Sequence, residues 1–129
     1  MFNVNYENKD NIVMVRLSGE LMIENVAQLK IEFNEYKTNY KYFIFDFKEV
    51  TMIDSSGLGY IVYCLKKLRE KNGDAKIQHL VDQAKLIFEI TRVNSILDIY
   101  ENEDQAIRSI EDMENSDESN DSHSNELIS

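Results

Sequence analysis

The sequence predicts an α/β domain with a mixed sheet of four to five strands and about four helices. Two early segments, Phe2 to Tyr6 and Ile12 to Leu17, have strand character, and from there helical and strand-like segments alternate to a final helix. A chain of 129 residues with 43% hydrophobic content suffices for one core but not for a second independent one.

Phe2, Val4 and Tyr6 alternate with polar residues, and Ile12 to Leu17 is apolar except at Arg16, so both read as strands, with Gly19 expected to end the second. Val26, Leu29, Phe33 and Tyr36 share one helical stripe, and Asn25 with Gln28 three residues on has the form of a capping box for that first helix. Tyr42 to Phe47 is almost wholly apolar or aromatic, as suits a central strand, with Asp46 the exception. Leu58, Ile61, Val62, Leu65 and Leu68 define the clearest helix, with Asn72-Gly73 as its stop. Lys66, Lys67, Arg69 and Lys71 sit in its last turns, where they complement the helix dipole, and no binding role is assigned to them. Lys76 to Leu80 reads as a strand, Gln83 to Thr91 as a helix behind Asp82, and Ile96 to Tyr100 as a strand. Asn102 and Gln105 form a second capping box for a helix to about Met113, with Ala106, Ile107 and Ile110 facing inward. The domain is expected to span residues 1–113. Residues 114–129 are Ser, Asn, Asp and Glu with few apolar side chains, and are expected to form a disordered tail.

Seven of the 24 acids lie from Glu111 onward, with no Lys or Arg among them, which leaves 17 acids against 14 bases before that point. A nearly neutral body offers no clustered cations for phosphate backbones, so no direct nucleic-acid binding is expected. The lone Cys64 fits a reducing compartment, Met1 to Asn11 lacks the pattern of a signal peptide, and no apolar run approaches the roughly 20 residues needed to cross a bilayer. A cytoplasmic protein without membrane association is expected. Cys64 and Met52 read as core residues.

The segment from Val50 to Tyr60 carries most of the information. Asp54, Ser55 and Ser56 can each cap the following helix, because each side chain accepts hydrogen bonds from unpaired first-turn N–H groups. Gly57 and Gly59 are less easily explained, since glycine inside a helix costs about 0.5–1 kcal/mol relative to alanine; they suggest a close approach of another group. A helix N-terminus also favours negative charge such as a phosphate.

Ile53-Asp54-Ser55-Ser56-Gly57-Leu58-Gly59 resembles the signature of the bacterial anti-sigma factor antagonists, single-domain members of the STAS superfamily. The resemblance continues through Val15 to Leu21 and Phe43 to Val50, and covers roughly residues 5 to 110. It implies a STAS-like fold, with Ser55, directly after the motif aspartate, as phosphoacceptor and Ser56 as a helix cap. Asp54, Ser56, Gly57, Leu58 and Met22 would belong to the partner interface. The family mechanism implied is regulation of transcription by partner switching. The dephosphorylated antagonist binds an anti-sigma factor that is also a serine kinase, so freeing a sigma factor; phosphorylation releases the antagonist, and a serine phosphatase resets it. Two positions depart from the pattern. Met22 stands where many members have an acid, and Val93-Asn94 where a glycine is common, with Asn94 expected in the left-handed conformation.

Other functions fit less well. A serine hydrolase needs a base, but His123 lies in the expected tail and His79 in an expected strand, and no Gly-x-Ser-x-Gly elbow is present. Gly57-Leu58-Gly59 is too short for a dinucleotide fingerprint and lacks a P-loop lysine, and Cys64 and the histidines form no ligand cluster. No enzyme activity, cofactor or metal is therefore expected. The alternative retains the fold and changes the partner: a STAS scaffold or adaptor, stressosome-like or accessory to lipid transport, without phosphorylation control.

Overall fold

A computed structural model describes the backbone of residues 1–128 and the side chains of residues 1–115. Five strands, β1 (Asn3–Lys9), β2 (Ile12–Leu21), β3 (Tyr42–Ile53), β4 (Asp74–Gln78) and β5 (Asp98–Tyr100), form one sheet in chain order. β1 and β2 form an antiparallel hairpin, and each later strand runs parallel to its predecessor. The connections are α1 (Val26–Tyr36), α2 (Ser55–Arg69) and α3 (Asp82–Ile90), and α4 (Glu103–Ile128) follows β5.

Strand alternation sorts the core into two faces. Val13, Val15 and Leu17 of β2 and Phe43, Phe45 and Phe47 of β3 pack against Leu29 and Phe33 of α1, Leu58, Ile61 and Leu65 of α2, and Ala84 and Phe88 of α3. The intervening Ile12, Met14, Tyr42 and Ile44 pack against Ala106 and Ile110 of α4 on the opposite face. Crossovers between adjacent parallel strands are right-handed, which puts three successive connecting helices on one side and leaves the other to α4. Burial on both faces is why these strands read as continuous apolar runs.

Asp46 belongs to the polar end of the α4 face. Arg16 is its neighbour across β2 and β3, and its guanidinium donates to Asp46 at 2.9 Å, to Glu103 at 3.0 Å and to Glu7 at 3.2 Å. Glu103, in the first turn of α4, also accepts from Lys9 and, at 3.3 Å, from Gln78. The carboxylate thus ties the start of α4 to three strands. Burial alone would raise its pKa, but the hydrogen bonds from Lys9, Gln78 and Arg16 outweigh this and hold it down to about 2.

Several boundaries differ from the sequence expectation. Gly19 does not end β2, which continues to Leu21 through register shifts on either side of it; its φ of 85° and a backbone approach that would leave a Cβ 2.1 Å from the Met1 oxygen both require glycine. Asn25 has a helical backbone and donates from Nδ2 to the Glu20 carbonyl at 2.7 Å, so no capping box forms with Gln28, and a 3-10 turn, Ile23–Asn25, leads into α1. Asp82 lies inside α3 and Val81 precedes it as cap. His79 lies beyond β4, with φ 57° and its N–H donating to the Tyr100 carbonyl at 3.1 Å. Arg92, not Asn94, takes the left-handed conformation, and a 3-10 turn over Val93–Ser95 shortens β5. Asn102 caps α4 as expected, its Oδ1 accepting from the Gln105 N–H at 3.0 Å, but the reciprocal bond of a capping box is displaced by one residue: Gln105 Oε1 accepts from the Glu101 N–H at 3.3 Å, not from that of Asn102. The bounds of α4 pass Met113; the tail expected over residues 114–129 lies almost wholly outside the described side chains.

Because folding depresses the Glu103 pKa, its contribution to stability is present at neutral pH and is lost as pH falls from its ordinary 4.5 through about 2. Glu103→Gln should lower stability at pH 7 and flatten the decline over that acid window, read as urea midpoints against pH.

Candidate functional site

Leu21 and Ile53 are the last paired residues of β2 and β3, so the connections leaving those parallel strands begin side by side. At the C-terminal end of a parallel sheet this is where binding sites are commonly built. The Asp54 N–H donates to the Leu21 carbonyl at 3.3 Å, and the extended backbone of Asp54 (φ −111°, ψ 179°) makes it the cap of α2. Its Oδ1 accepts from the Gly57 N–H at 2.8 Å and its Oδ2 from the Ile23 N–H at 3.0 Å. One carboxylate therefore closes the start of α2 and also holds the turn after β2.

Of the three residues able to cap the helix, Asp54 does so. Ser56 is not the cap, because Ser55 and Ser56 are already within the helix, and a cap needs extended backbone ahead of it. This leaves both hydroxyls without a capping role. Ser55 is exposed at the first residue of α2, and Ser56 is half-buried. Unpaired first-turn N–H groups and the helix dipole together favour negative charge at this position.

The other expected interface residues differ in exposure. Gly57 is buried, and a Cβ there would lie 2.1 Å from the Leu21 carbonyl oxygen, so the close approach expected at this glycine is made by the β2 backbone. Gly59 is exposed with nothing within 4 Å of a Cβ, and meets no such approach. Leu58 is buried in the main core, so its side chain anchors α2 and is withdrawn from the contact surface. Met22 is half-buried, immediately before the turn bonded to Asp54.

Two apolar side chains extend this surface. Ile23, 67% exposed, follows Met22, and its N–H is the group held by Asp54. Met52 is 54% exposed and not a core residue; it lies in the part of β3 that runs beyond its pairing with β4. The signal for Ile23 was the apolar run Leu21-Met22-Ile23, which continues past the strand without helical spacing. Cys64 is buried, which pushes its thiol well above the ordinary range, as expected of a core cysteine. Among the described residues no group of three or more His, Cys, Asp or Glu is arranged to hold a metal, and no helix is long and apolar enough to cross a membrane.

A family model described as the STAS domain matches residues 3–106. The chain is 26% identical over 97 residues to the anti-sigma-B factor antagonist of Bacillus subtilis strain 168, an alignment covering 75% of this chain and 89% of that protein. The crystal structure of an anti-sigma factor antagonist from Mycobacterium paratuberculosis superposes with a TM-score of 0.79 at 17% identity, covering 86% of this chain and 95% of that one. The Bacillus cell fate determinant SpoIIAA, solved in its phosphorylated form, superposes with a TM-score of 0.66 at 20% identity over 85% of this chain and 99% of that one.

The two glycines should respond oppositely to alanine. Gly57→Ala forces a clash with backbone and should destabilise by about 1–3 kcal/mol, the usual range for overpacking. Gly59→Ala should be neutral or stabilising by up to about 1 kcal/mol, from helix propensity alone. Chemical denaturation of both variants measures the contrast, and equal losses would contradict the geometry described for Gly57.

Proposed function

The chain belongs to the STAS domain family, and we propose that it is an anti-sigma factor antagonist governed by phosphorylation of Ser55. In its unphosphorylated form it binds an anti-sigma factor that is also a serine kinase, and so frees a sigma factor. The observation that carries this reading is the place of the Ser55 hydroxyl: exposed, at the first residue of α2, beside an aspartate whose two oxygens are engaged in holding the site's backbone. The name of the Bacillus subtilis relative and the phosphorylated state of the SpoIIAA neighbour support it.

The chemistry follows from the position. The Ser55 oxygen attacks the γ-phosphorus of ATP bound to the kinase, the bond to the β-phosphate oxygen breaks, ADP leaves, and the hydroxyl proton passes to a base on the kinase. The product carries about −1.5 to −2 charges at pH 7. Within α2 that charge is tolerated, because a helix N-terminus stabilises an anion by about 0.3–1 kcal/mol, so the domain keeps its fold. Within a contact surface it meets the opposite balance. Met22 and Ile23 enter the turn held by Asp54, and Met52 precedes Asp54 by two residues; a partner seated on these apolar side chains and on Ser55 would have to desolvate the phosphate. About 2.8 kcal/mol of unrepaid desolvation weakens binding a hundredfold. The switch would thus act through surface charge, and a serine phosphatase would restore binding.

Intact-mass spectrometry of the protein with ATP, magnesium and each candidate anti-sigma kinase from the same genome, beside Ser55→Ala, tests the reading. One phosphate that is absent from Ser55→Ala is the expected result, with Ser55→Asp weakening kinase binding by at least tenfold. A folded protein that takes no phosphate from any of them would support a STAS scaffold or adaptor instead.

A further inference from the structure

The short turn between β2 and α1 is tied down at both ends. At its start the Ile23 N–H donates to Asp54 Oδ2 at 3.0 Å, and the Asp54 N–H donates to the Leu21 carbonyl at 3.3 Å. At its end Asn25 supplies two bonds: its N–H donates to the Met22 carbonyl at 2.8 Å, and its Nδ2 donates to the Glu20 carbonyl at 2.7 Å. Glu20 stands directly after the register shift at Gly19, so the Asn25 side chain holds the end of β2 at a point where the ladder to β3 is irregular. The turn lies against α2, the helix that begins with Ser55, and Ile23 stands exposed on this fixed backbone.

We propose that Asn25 is a positioning residue for recognition by the kinase partner: through the Glu20 carbonyl it sets the turn that carries Ile23, and Ile23 is the apolar anchor that the kinase grips as it closes on Ser55. The inference rests on the reading of Ser55 given above. The kinase is the occupant because it must reach the Ser55 hydroxyl, and Asp54, the residue before Ser55, is the group that holds the Ile23 N–H; a protein in contact with the hydroxyl therefore covers the turn as well. An apolar anchor contributes most when little of it has to be ordered on binding, and backbone fixed at both ends has already lost that freedom. The α1 helix itself does not call for asparagine here. Asn25 occupies the cap position of α1 but makes no side-chain capping bond, and serine or aspartate is favoured equally at such a position. What asparagine adds is a donor that reaches the Glu20 carbonyl.

Steady-state phosphorylation by the kinase that modifies Ser55, with this protein as the varied substrate, tests the assignment. Asn25→Ser, which keeps a favoured helix start, and Asn25→Asp, isosteric but without the donor, should each raise KM at least about fivefold with kcat within about twofold, the signature of lost binding that leaves the chemical step alone. Ile23→Ser should raise KM at least about tenfold, while Ile31→Ser, on the exposed face of α1, should leave it within about twofold. Because Asn25 acts through Ile23, adding Asn25→Ser to Ile23→Ser should change KM by less than about a further twofold. Urea midpoints of the Asn25 variants should stay near that of the wild type. Independent, multiplying effects in the double variant, a fall in kcat in place of the rise in KM, or an unchanged KM in both Asn25 variants with Ser55 still phosphorylated would each overturn the role of Asn25 and leave the reading of Ser55 standing. Wild-type KM in Ile23→Ser, together with an altered oligomeric state in solution, would assign the turn to a second copy and overturn the proposal. Absence of phosphate on wild-type Ser55 with every candidate kinase would overturn the reading of Ser55 and the role of Asn25 together.

Discussion

Asp54 accepts one hydrogen bond from the backbone of its own helix and another from a turn 31 positions earlier in the chain, and these two bonds determine what its neighbours can do. A carboxylate engaged by backbone N–H groups on both oxygens fixes the entry of α2 and the exit of β2 in one arrangement. With the cap supplied by Asp54, Ser55 needs no structural role and stands free at a helix start. Gly57 is then forced against the Leu21 carbonyl, because the same bonds draw α2 down onto β2. A single side chain thus accounts for the free hydroxyl, the obligatory glycine and the nearness of Met22.

That arrangement is possible because β2 and β3 are parallel neighbours ending in register at Leu21 and Ile53. Alternating side chains bury both faces of these strands, α1 to α3 on one side and α4 on the other. The ionic network around Arg16, Asp46 and Glu103 belongs to the α4 face, away from the face that carries α2. In such partly buried networks desolvation offsets much of the Coulomb gain, while loss of one partner leaves a charge unpaired; the bonds here tie α4 to the sheet. The separation of the two faces lets a charge be added at Ser55 without touching the contacts that hold α4.

A switch of this kind needs little motion in the domain. The phosphate would sit where the helix dipole favours it, and its unfavourable consequences would fall on a partner that must desolvate it.

The amino-acid sequence by itself determined the order of elements, the central place of β3, the clearest helix and its motif, and Asn102 as the cap of α4. These follow from local periodicity and from side chains that bond within a few residues. Only the tertiary structure decided which of Asp54, Ser55 and Ser56 caps α2, because the choice depends on the Ile23 N–H, remote in sequence. It also decided that Asn25 turns back to Glu20, that Arg92 and not Asn94 takes the left-handed backbone, and that Met52 faces solvent. Met52 illustrates the physical reason. Its exposure depends on which elements pack over the end of β3, a long-range property that no local pattern around Met52 encodes.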